Sequence, residues 1–347
     1  MRFRLPAGPG KSATGIESRL ITLFGGRIQA KMSIAEIHFL GVMANTDNTV
    51  IKLKLQHGFE FEGLPKNDVV TLISNIDDRD WFESFKDLSF SGCVPPNGHG
   101  DLCVVVKNSF SGNIEVDAQG RAWAEVWWPS VCDFQNKFVE DYLKAVLQLM
   151  RLFKEGRISL PGVRYFCYEA NVPKLLLGTR VDSCSGKEPC YSLTPNEIPN
   201  IQYFLENTSL PFGDATLRLA HEDFELSYRA NTDHLSFLTL MIAMEVLLNP
   251  SDRELRYRVS RNSAVLLGND HDEAEKIFKG MKELYDKRSK LVHTGDRSIL
   301  NWDDVLKLRQ YARETIKEVH KTGMNKGDLL AMLNTCGFGQ RPWRDGC

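Results

Sequence analysis

The spacing of apolar residues changes along this chain, and that change limits the folds open to it. Before residue 129 apolar and polar residues alternate, in the segments 51–56 (IKLKLQ), 59–64 (FEFEGL), 102–107 (LCVVVK) and 122–128 (AWAEVWW). A period of two is typical of half-buried strands. Because Gly, Asn and Pro separate these segments, the pattern predicts an antiparallel sheet. A helix is predicted at 67–76 and further strand at 163–181.

A helical period first dominates after Asp133. Apolar residues then recur at steps of three and four, at Phe138, Tyr142, Val146, Leu149 and Phe153. This spacing predicts a helix of about six turns that begins at a capping Asp133 and ends at Gly156. The following segment 182–211 is rich in Ser, Pro, Gly and Asn, which favours a domain boundary there.

Beyond Pro211 the strand pattern gives way to helical periods with short connections. Helices are predicted at 215–229, 232–248, 252–267, 271–293, 302–321 and 326–334. The expected fold class is an α+β N-terminal domain rich in antiparallel strands, followed by an all-α helical bundle. The expected domains are a flexible tail at 1–31, the β-rich domain at 32–210, the helical domain at 211–336 and a second tail at 337–347.

Charge and cysteine content restrict the partners. With 43 basic and 45 acidic residues the net charge is −2, so any nucleic-acid site must be local. The apolar runs fall short of the roughly 20 residues that cross a bilayer, which predicts no membrane span. Eight scattered cysteines favour a cytoplasmic protein, and five residues separate Cys184 from Cys190, which favours a loop over a zinc site. We therefore expect no metal and no cofactor.

The segment 284–295 (LYDKRSKLVHTG) carries the most unusual placement of charge. On a helical wheel Arg288 falls in the middle of an apolar stripe formed by Met281, Leu284, Tyr285 and Val292. Burial of an unpaired guanidinium is very costly, so Arg288 requires an anionic or carbonyl partner. Glu245 is equally out of place in the apolar segment 242–248 (IAMEVLL), so a salt bridge between the two is one interpretation.

A second stripe of the same helix contains Asp286, Ser289 and His293. His293 lies at the predicted helix end, where the negative pole of the helix dipole favours imidazolium. Histidine is the side chain that most readily exchanges protons near neutral pH. Asp286 is either a solvated carboxylate or a group that orients His293. The nearby basic residues either line an RNA-binding groove or belong to the solvent-exposed face of their helices; they are Arg258, Arg261 and Lys290.

Arg288 and His293 match the pattern R-x-x-x-x-H, and with it the chain resembles the HEPN superfamily, specifically its Apea-like branch. The segments 242–248, 254–268 (ELRYRVSRNSAVLLG) and 284–295 are similar, in order and spacing, to three helical blocks of that branch. The resemblance covers about 120 residues. It departs from the common pattern at Ser289, where the superfamily often has Asn, Asp or His.

The resemblance implies a metal-independent endoribonuclease whose site forms across a homodimer of the helical domain. In that scheme His293 acts as general base or acid, Arg288 holds the scissile phosphate, and Ser289 orients the phosphate or His293. Glu245 and Asp286 are supporting residues. The RNA would end in a 2′,3′-cyclic phosphate and a 5′-hydroxyl. We expect a phage-defence or abortive-infection effector whose N-terminal domain senses a trigger; the alternative is a non-catalytic nucleotide- or protein-binding and dimerisation module.

Overall fold

The structure is a computed structural model that describes most of the chain. The described residues are 19–23, 26–76, 102–116, 133–169, 171–179, 181, 189–249 and 254–341. The chain divides into two compact units. The first comprises Met1–Met150, Gly156–Ser183 and Pro189–Ser209, and the second comprises Arg151–Glu155, Cys184–Glu188 and Leu210–Cys347.

An antiparallel sheet forms the centre of the first unit. Its strands are β1 (Arg19–Leu23), β2 (Gly26–Ala44), β3 (Glu60–Pro65), β4 (Leu102–Val116), β5 (Ser159–Glu169) and β6 (Val172–Thr179). The strand order is β3-β4-β2-β5-β6, and β1 pairs with the beginning of β2. Every pairing is antiparallel, which confirms the predicted sheet class. The strand predicted at 122–128 lies outside the described residues.

In the described part of the first unit, the sheet is accompanied by the helices α1 (Lys66–Ile76), α2 (Asp133–Phe153) and α3 (Glu197–Asn207). α1 packs Val69 and Ile73 against Val42, Val105 and other buried residues of the strands. The predictions of α1 and α2 are confirmed. α3 was not predicted, because its segment contains Pro199. This proline occupies the third position of the helix, where the backbone N–H has no partner within the helix, so proline is tolerated.

The strand predicted at 51–56 is wrong. The chain instead forms a 3₁₀ helix at Asn48–Lys52, whose N-terminus is capped by Asp47 accepting a hydrogen bond from the Thr49 N–H at 2.9 Å. Val50 and Leu53, three residues apart, are both buried. Since a 3₁₀ helix has three residues per turn, this spacing places both on the same side of the segment.

The two predicted tails are shorter than expected. β1 and the start of β2 pair from Arg19↔Ala30 to Leu23↔Gly26 inside the predicted tail 1–31. At the other end, the residues up to 341 pack onto the helical unit, because buried Arg341 donates from Nη1 to Asn269 Oδ1 at 3.0 Å.

Cys190 is disulfide-bonded, which its spacing from other cysteines did not predict.

The second unit is helical, as predicted. Its helices are α4 (Ala215–Arg229), α5 (Asp233–Leu248), α6 (Leu255–Leu267), α7 (His271–Thr294), α8 (Trp302–Thr322) and α9 (Lys326–Thr335). Each lies within three residues of its predicted bounds. The largest difference is at α6, which begins at Leu255 rather than 252, after Glu254 in a left-handed conformation with φ of 57°. Among the described residues, no helix combines the length and the apolar character needed to cross a membrane.

The boundary between the units differs from the predicted one in one respect. The second unit resumes at Leu210, one residue before the predicted boundary at 210/211, but it also contains Arg151–Glu155 from the end of α2. This five-residue segment lies far outside the predicted range 211–336. Within this segment the Arg151 side chain is buried, and the Glu155 side chain is 23% exposed.

Candidate functional site

The helix that carries Arg288 and His293 has well-defined ends. Its N-terminus is capped by Asp270, whose side chain accepts a hydrogen bond from the Glu273 N–H at 2.8 Å. Its C-terminus is followed by Gly295 in the left-handed conformation, with φ of 71°. Glycine adopts this conformation at little cost, so the helix stops there. These caps fix His293 in the last turn of α7.

Arg288 lies where α7 approaches α5. Its Nε is 3.6 Å from Glu245 Oε1, and its guanidinium carbon is 5.7 Å from the centre of the Tyr285 ring. The Tyr285 hydroxyl donates to the same Glu245 oxygen at 2.9 Å. Burial and this hydrogen bond raise the pKa of Tyr285 to about 12. The predicted salt bridge is therefore present, and it orients Arg288 while leaving 28% of its side chain exposed.

The apolar stripe around Arg288 is shorter than predicted. Met281, Leu284 and Tyr285 are buried, as the helical wheel indicated. Val292 is 50% exposed, so its assignment to the buried stripe is wrong. Val292 belongs to the last turn of α7, where exposed residues also follow at 293–295. Arg288 thus lies at the edge of the core rather than in its middle.

The second stripe of α7 is accessible, but its acidic member is already engaged. Asp286 binds Arg256 of α6, with 2.5 Å between Oδ2 and Nη2, and both side chains are 47% exposed. His293 is exposed and lies two turns further along α7. At about 1.5 Å per residue, Asp286 and His293 are separated by about 10 Å along the axis. Asp286 is therefore a surface ion-pair partner of Arg256, and it does not orient His293. Ser289 is half-buried between them.

Two of the three predicted groove residues, Arg261 and Arg258, are engaged in contacts with other residues of the helical unit. Arg261 donates from Nη1 to the Leu333 carbonyl and from Nη2 to the Cys336 carbonyl, both at 2.8 Å. These carbonyls lie at the end of α9, so Arg261 caps that helix. Arg258 forms an ion pair with Glu254 at 3.4 Å. Lys290 is exposed on α7. The interpretation of Arg261 as a groove residue is thus corrected to a structural role.

Within one chain Arg288 and His293 point in different directions. Five residues along an α-helix rotate the side chain by about 140° and advance it by about 7.5 Å. Accordingly, Arg288 faces Glu245 on α5, whereas His293 is exposed at the end of α7. A single copy does not bring them together around one phosphate.

A lysine beside the motif fixes α7 to the next helix. Lys287 Nζ donates to both carboxylate oxygens of Asp304, at 2.7 and 2.6 Å. Asp304 in turn belongs to the capping box that starts α8, with Asn301. This pair holds the C-terminal half of α7 at a fixed place in the bundle.

A buried charged cluster in the same unit was not predicted. Arg309 and Arg313 of α8 both bind Glu155, at 3.1 and 2.5 Å. Arg151 binds Glu225 of α4, with 2.5 Å between Nη2 and Oε2. All three arginines are essentially inaccessible. The signal was present in the sequence, because Arg309 and Arg313 interrupt the apolar stripe of α8 just as Arg288 interrupts that of α7.

Tyr228 lies at the centre of this cluster. The guanidinium carbon of Arg309 is 4.2 Å from the centre of its ring, and Arg313 Nη2 donates to its hydroxyl at 2.9 Å. Burial raises the pKa of Tyr228. For Glu155, burial alone would raise the pKa, but the charges and hydrogen bonds of Arg313 and Arg309 outweigh it and hold the pKa below its ordinary value. The cluster is thus a mutually satisfied network, which indicates a structural role.

No group of three or more His, Cys, Asp or Glu side chains in the described part of the chain is placed to hold a metal ion. Comparison of the chain with protein families, with curated proteins and with solved structures finds no match.

Proposed function

We propose that this chain is a metal-independent endoribonuclease of the HEPN type that acts as a homodimer. The observation that carries the proposal is the pairing of an oriented, still accessible arginine with an exposed histidine on one capped helix. The carboxylate of Glu245 keeps the Arg288 guanidinium near α5, and the exposed part of that side chain is accessible to a phosphate. An exposed imidazole at a helix end is free to exchange protons with a substrate.

In this proposal the ribose 2′-hydroxyl attacks the adjacent phosphorus, and the bond from phosphorus to the 5′-oxygen breaks. His293 of one copy removes the 2′ proton or supplies a proton to the departing 5′-oxygen. Arg288 binds the non-bridging oxygens as negative charge grows on them. Ser289, between the two along α7, positions the phosphate. The products are a 2′,3′-cyclic phosphate and a 5′-hydroxyl.

An exposed apolar face supports the dimer in this proposal. Side chains that are nearly half exposed lie seven residues apart on each helix of the α4/α5 hairpin: Leu219, Leu226, Leu235 and Ile242. Because the helices are joined by a short connection, Leu226 lies level with Leu235 and Leu219 with Ile242. Exposed apolar side chains that are grouped in this way mark interaction sites, and in a two-fold pairing the same side chains of two copies meet. Three residues beyond Ile242 lies Glu245, so a two-fold pairing here would bring both Arg288–Glu245 pairs toward one region.

Cleavage of RNA in the presence of EDTA tests this function. The purified wild-type chain is expected to cut RNA and leave 2′,3′-cyclic phosphate ends, and His293→Ala is expected to abolish cutting without changing the melting temperature. His57→Asn is the matched control, because it removes another exposed imidazole at a left-handed residue, with φ of 60°, where asparagine is tolerated. Cleavage that persists in His293→Ala would exclude this mechanism.

The biological setting extends the same proposal. We propose that the protein is a defence or abortive-infection effector, and that its first unit senses a trigger. A cut to cellular RNA would arrest the cell, which suits such a role. Expression of the wild-type chain should be toxic, and toxicity should disappear in Arg288→Ala.

A second candidate function has one observation in its favour. Glu245 already neutralises Arg288, and within one copy His293 points elsewhere. This arrangement also suits a non-catalytic module that binds a nucleotide or a protein and dimerises through its helices. Toxicity that persists in Arg288→Ala would favour it over the nuclease.

A further inference from the structure

The stripe that carries His293 extends along most of α7. Phe278, Lys282, Asp286, Ser289 and His293 follow one another at steps of four, four, three and four residues. On a helical wheel these positions fall within about 80° of one another, so they share one face. The face spans 16 residues, and the 15 steps between its ends correspond to about 22 Å along the helix axis.

Aromatic side chains gather at the far end of this face. Tyr257 of α6 meets Phe278 edge to face, with 6.0 Å between ring centres, and Phe338 lies 5.7 Å from Phe278 on another side. The Lys282 ammonium is 5.2 Å from the centre of the Phe278 ring. Tyr257 is 53% exposed, although it is a large aromatic residue. We call Tyr257, Phe278, Phe338 and Lys282 the aromatic platform.

The charge of this region differs from that of the whole chain. Residues 276–294 contain six Lys or Arg residues and two acidic residues, whereas the whole chain has a net charge of −2. Lys279, Lys287 and Arg288 form ion pairs with Glu275, Asp304 and Glu245, so the positive charge along this face rests mainly on Lys282 and Lys290. One of those acidic residues, Asp286, binds Arg256 next to Tyr257. Positive charge beside an accessible aromatic ring is the combination that binds single-stranded nucleic acid, through phosphate contacts and base stacking.

We propose that the aromatic platform binds unpaired bases of an RNA strand that runs along α7 toward His293. This inference rests on the proposed function and specifies its substrate as single-stranded RNA. Bases in a duplex are stacked on each other and present only their edges, so the exposed ring of Tyr257 has access only to bases of an unpaired strand. Lys282 on this face and the exposed Lys290 beside it hold the phosphates between the platform and His293.

Binding of RNA to the full chain carrying His293→Ala separates recognition from cleavage. Fluorescence anisotropy with a labelled, unstructured single-stranded RNA, and with the same strand in a duplex, gives the two affinities. Tyr257→Ala is expected to weaken single-strand binding about 5- to 100-fold, the range for loss of one stacking aromatic. Tyr257→Phe keeps the ring and should keep the affinity. Lys282→Gln should flatten the dependence of affinity on salt concentration.

Tyr203→Ala is the matched control, because Tyr203 is 70% exposed on α3 of the first unit and should not affect RNA binding. Unchanged single-strand affinity in Tyr257→Ala, or equal affinity for the duplex, would overturn the inference. If the wild type cleaves RNA and Tyr257→Ala binds it unchanged, the proposed nuclease function is retained and the aromatic platform is rejected as the RNA-binding site. If Tyr257→Ala loses RNA binding but the wild type does not cleave RNA, the aromatic platform is supported and the nuclease function is rejected.

Discussion

Arg288 on α7 and Glu245 on α5 form an ion pair, with 3.6 Å between Nε and Oε1. Both side chains remain partly exposed, and Tyr285 shares the same carboxylate oxygen. Two residues that were each out of place in the sequence thus compensate one another in the fold. The pair orients a guanidinium without burying it, which is the property a phosphate-binding arginine requires.

Replacement of Arg288 tests that role directly. Arg288→Ala is expected to lower the rate of RNA cleavage about 100- to 1000-fold, as loss of one group that stabilises transition-state charge does. Arg288→Lys should recover little, because lysine lacks the planar fork that binds two phosphate oxygens. Glu245→Gln should cause a smaller loss, since it retains an acceptor for Tyr285. Single-turnover cleavage rates measure the effect of all three substitutions. A wild-type rate in Arg288→Ala would show that Arg288 takes no part in the reaction.

The apolar face of α4 and α5 predicts a variant that fails to dimerise. Ile242→Glu places a charge in the proposed interface, where two copies of it would face each other across a two-fold axis. We expect light scattering to show that Ile242→Glu is a monomer, and we expect its rate of RNA cleavage to be lower than that of the wild type. Leu102→Glu is the matched control. Leu102 is an apolar residue of the first unit that is 46% exposed, against 45% for Ile242, and its replacement should leave the dimer and RNA cleavage unchanged. A dimer that survives Ile242→Glu places the interface elsewhere.

The buried pair of Arg151 and Glu225 predicts a large effect on stability. Glu225→Gln removes the charge that Arg151 binds in the core, and loss of one partner of a buried pair costs about 3–5 kcal/mol. Asp286→Asn breaks an exposed pair and should cost less than about 1 kcal/mol. Urea unfolding followed by circular dichroism gives both free energies. Equal losses for the two variants would contradict the structural role of the cluster.

Glu155 predicts how stability depends on pH. Its pKa in the folded chain lies below the ordinary value of 4.5, so the folded state binds the proton less readily than the unfolded state. The stability that Glu155 contributes is therefore complete above pH 4.5 and is lost as the pH falls through its folded-state pKa. The urea midpoint of the wild type should fall in that acidic range. For Glu155→Gln we expect a lower midpoint at neutral pH and a shallower acidic decline; parallel curves would refute the assignment.

The helical unit was the part most predictable from the sequence, because its signals are local. Side-chain caps at Asp214 and Asp270, and glycines at 295 and 323, mark the helix ends within a few residues of them. The segment 51–56 failed for the opposite reason. Apolar and polar residues do alternate in this segment, but the buried residues are Val50 and Leu53, which are three positions apart. Asp47 caps a 3₁₀ helix there, and the alternation of residue types does not indicate it.

The ion pair between Arg288 and Glu245 was predictable from the sequence, but the partners of the residues around it were not. A charge on an apolar stripe identified Arg288 and Glu245, yet the same rule applied to α8 would also have identified Arg309 and Arg313. Helical spacing allowed Asp286 to approach His293, whereas the nearer partner, Arg256, came from a different helix. Such cross-helix partners depend on how helices pack, which the spacing within one helix does not determine.

The five residues 151–155 make the helical unit discontinuous in sequence. A fragment that begins at Pro211 would leave Glu225 without Arg151, and Arg309 and Arg313 without Glu155. No single cut in the chain yields the sheet and the bundle as intact pieces. A protease cut or a genetic truncation at Pro211 would therefore remove charged partners from the core of the helical unit.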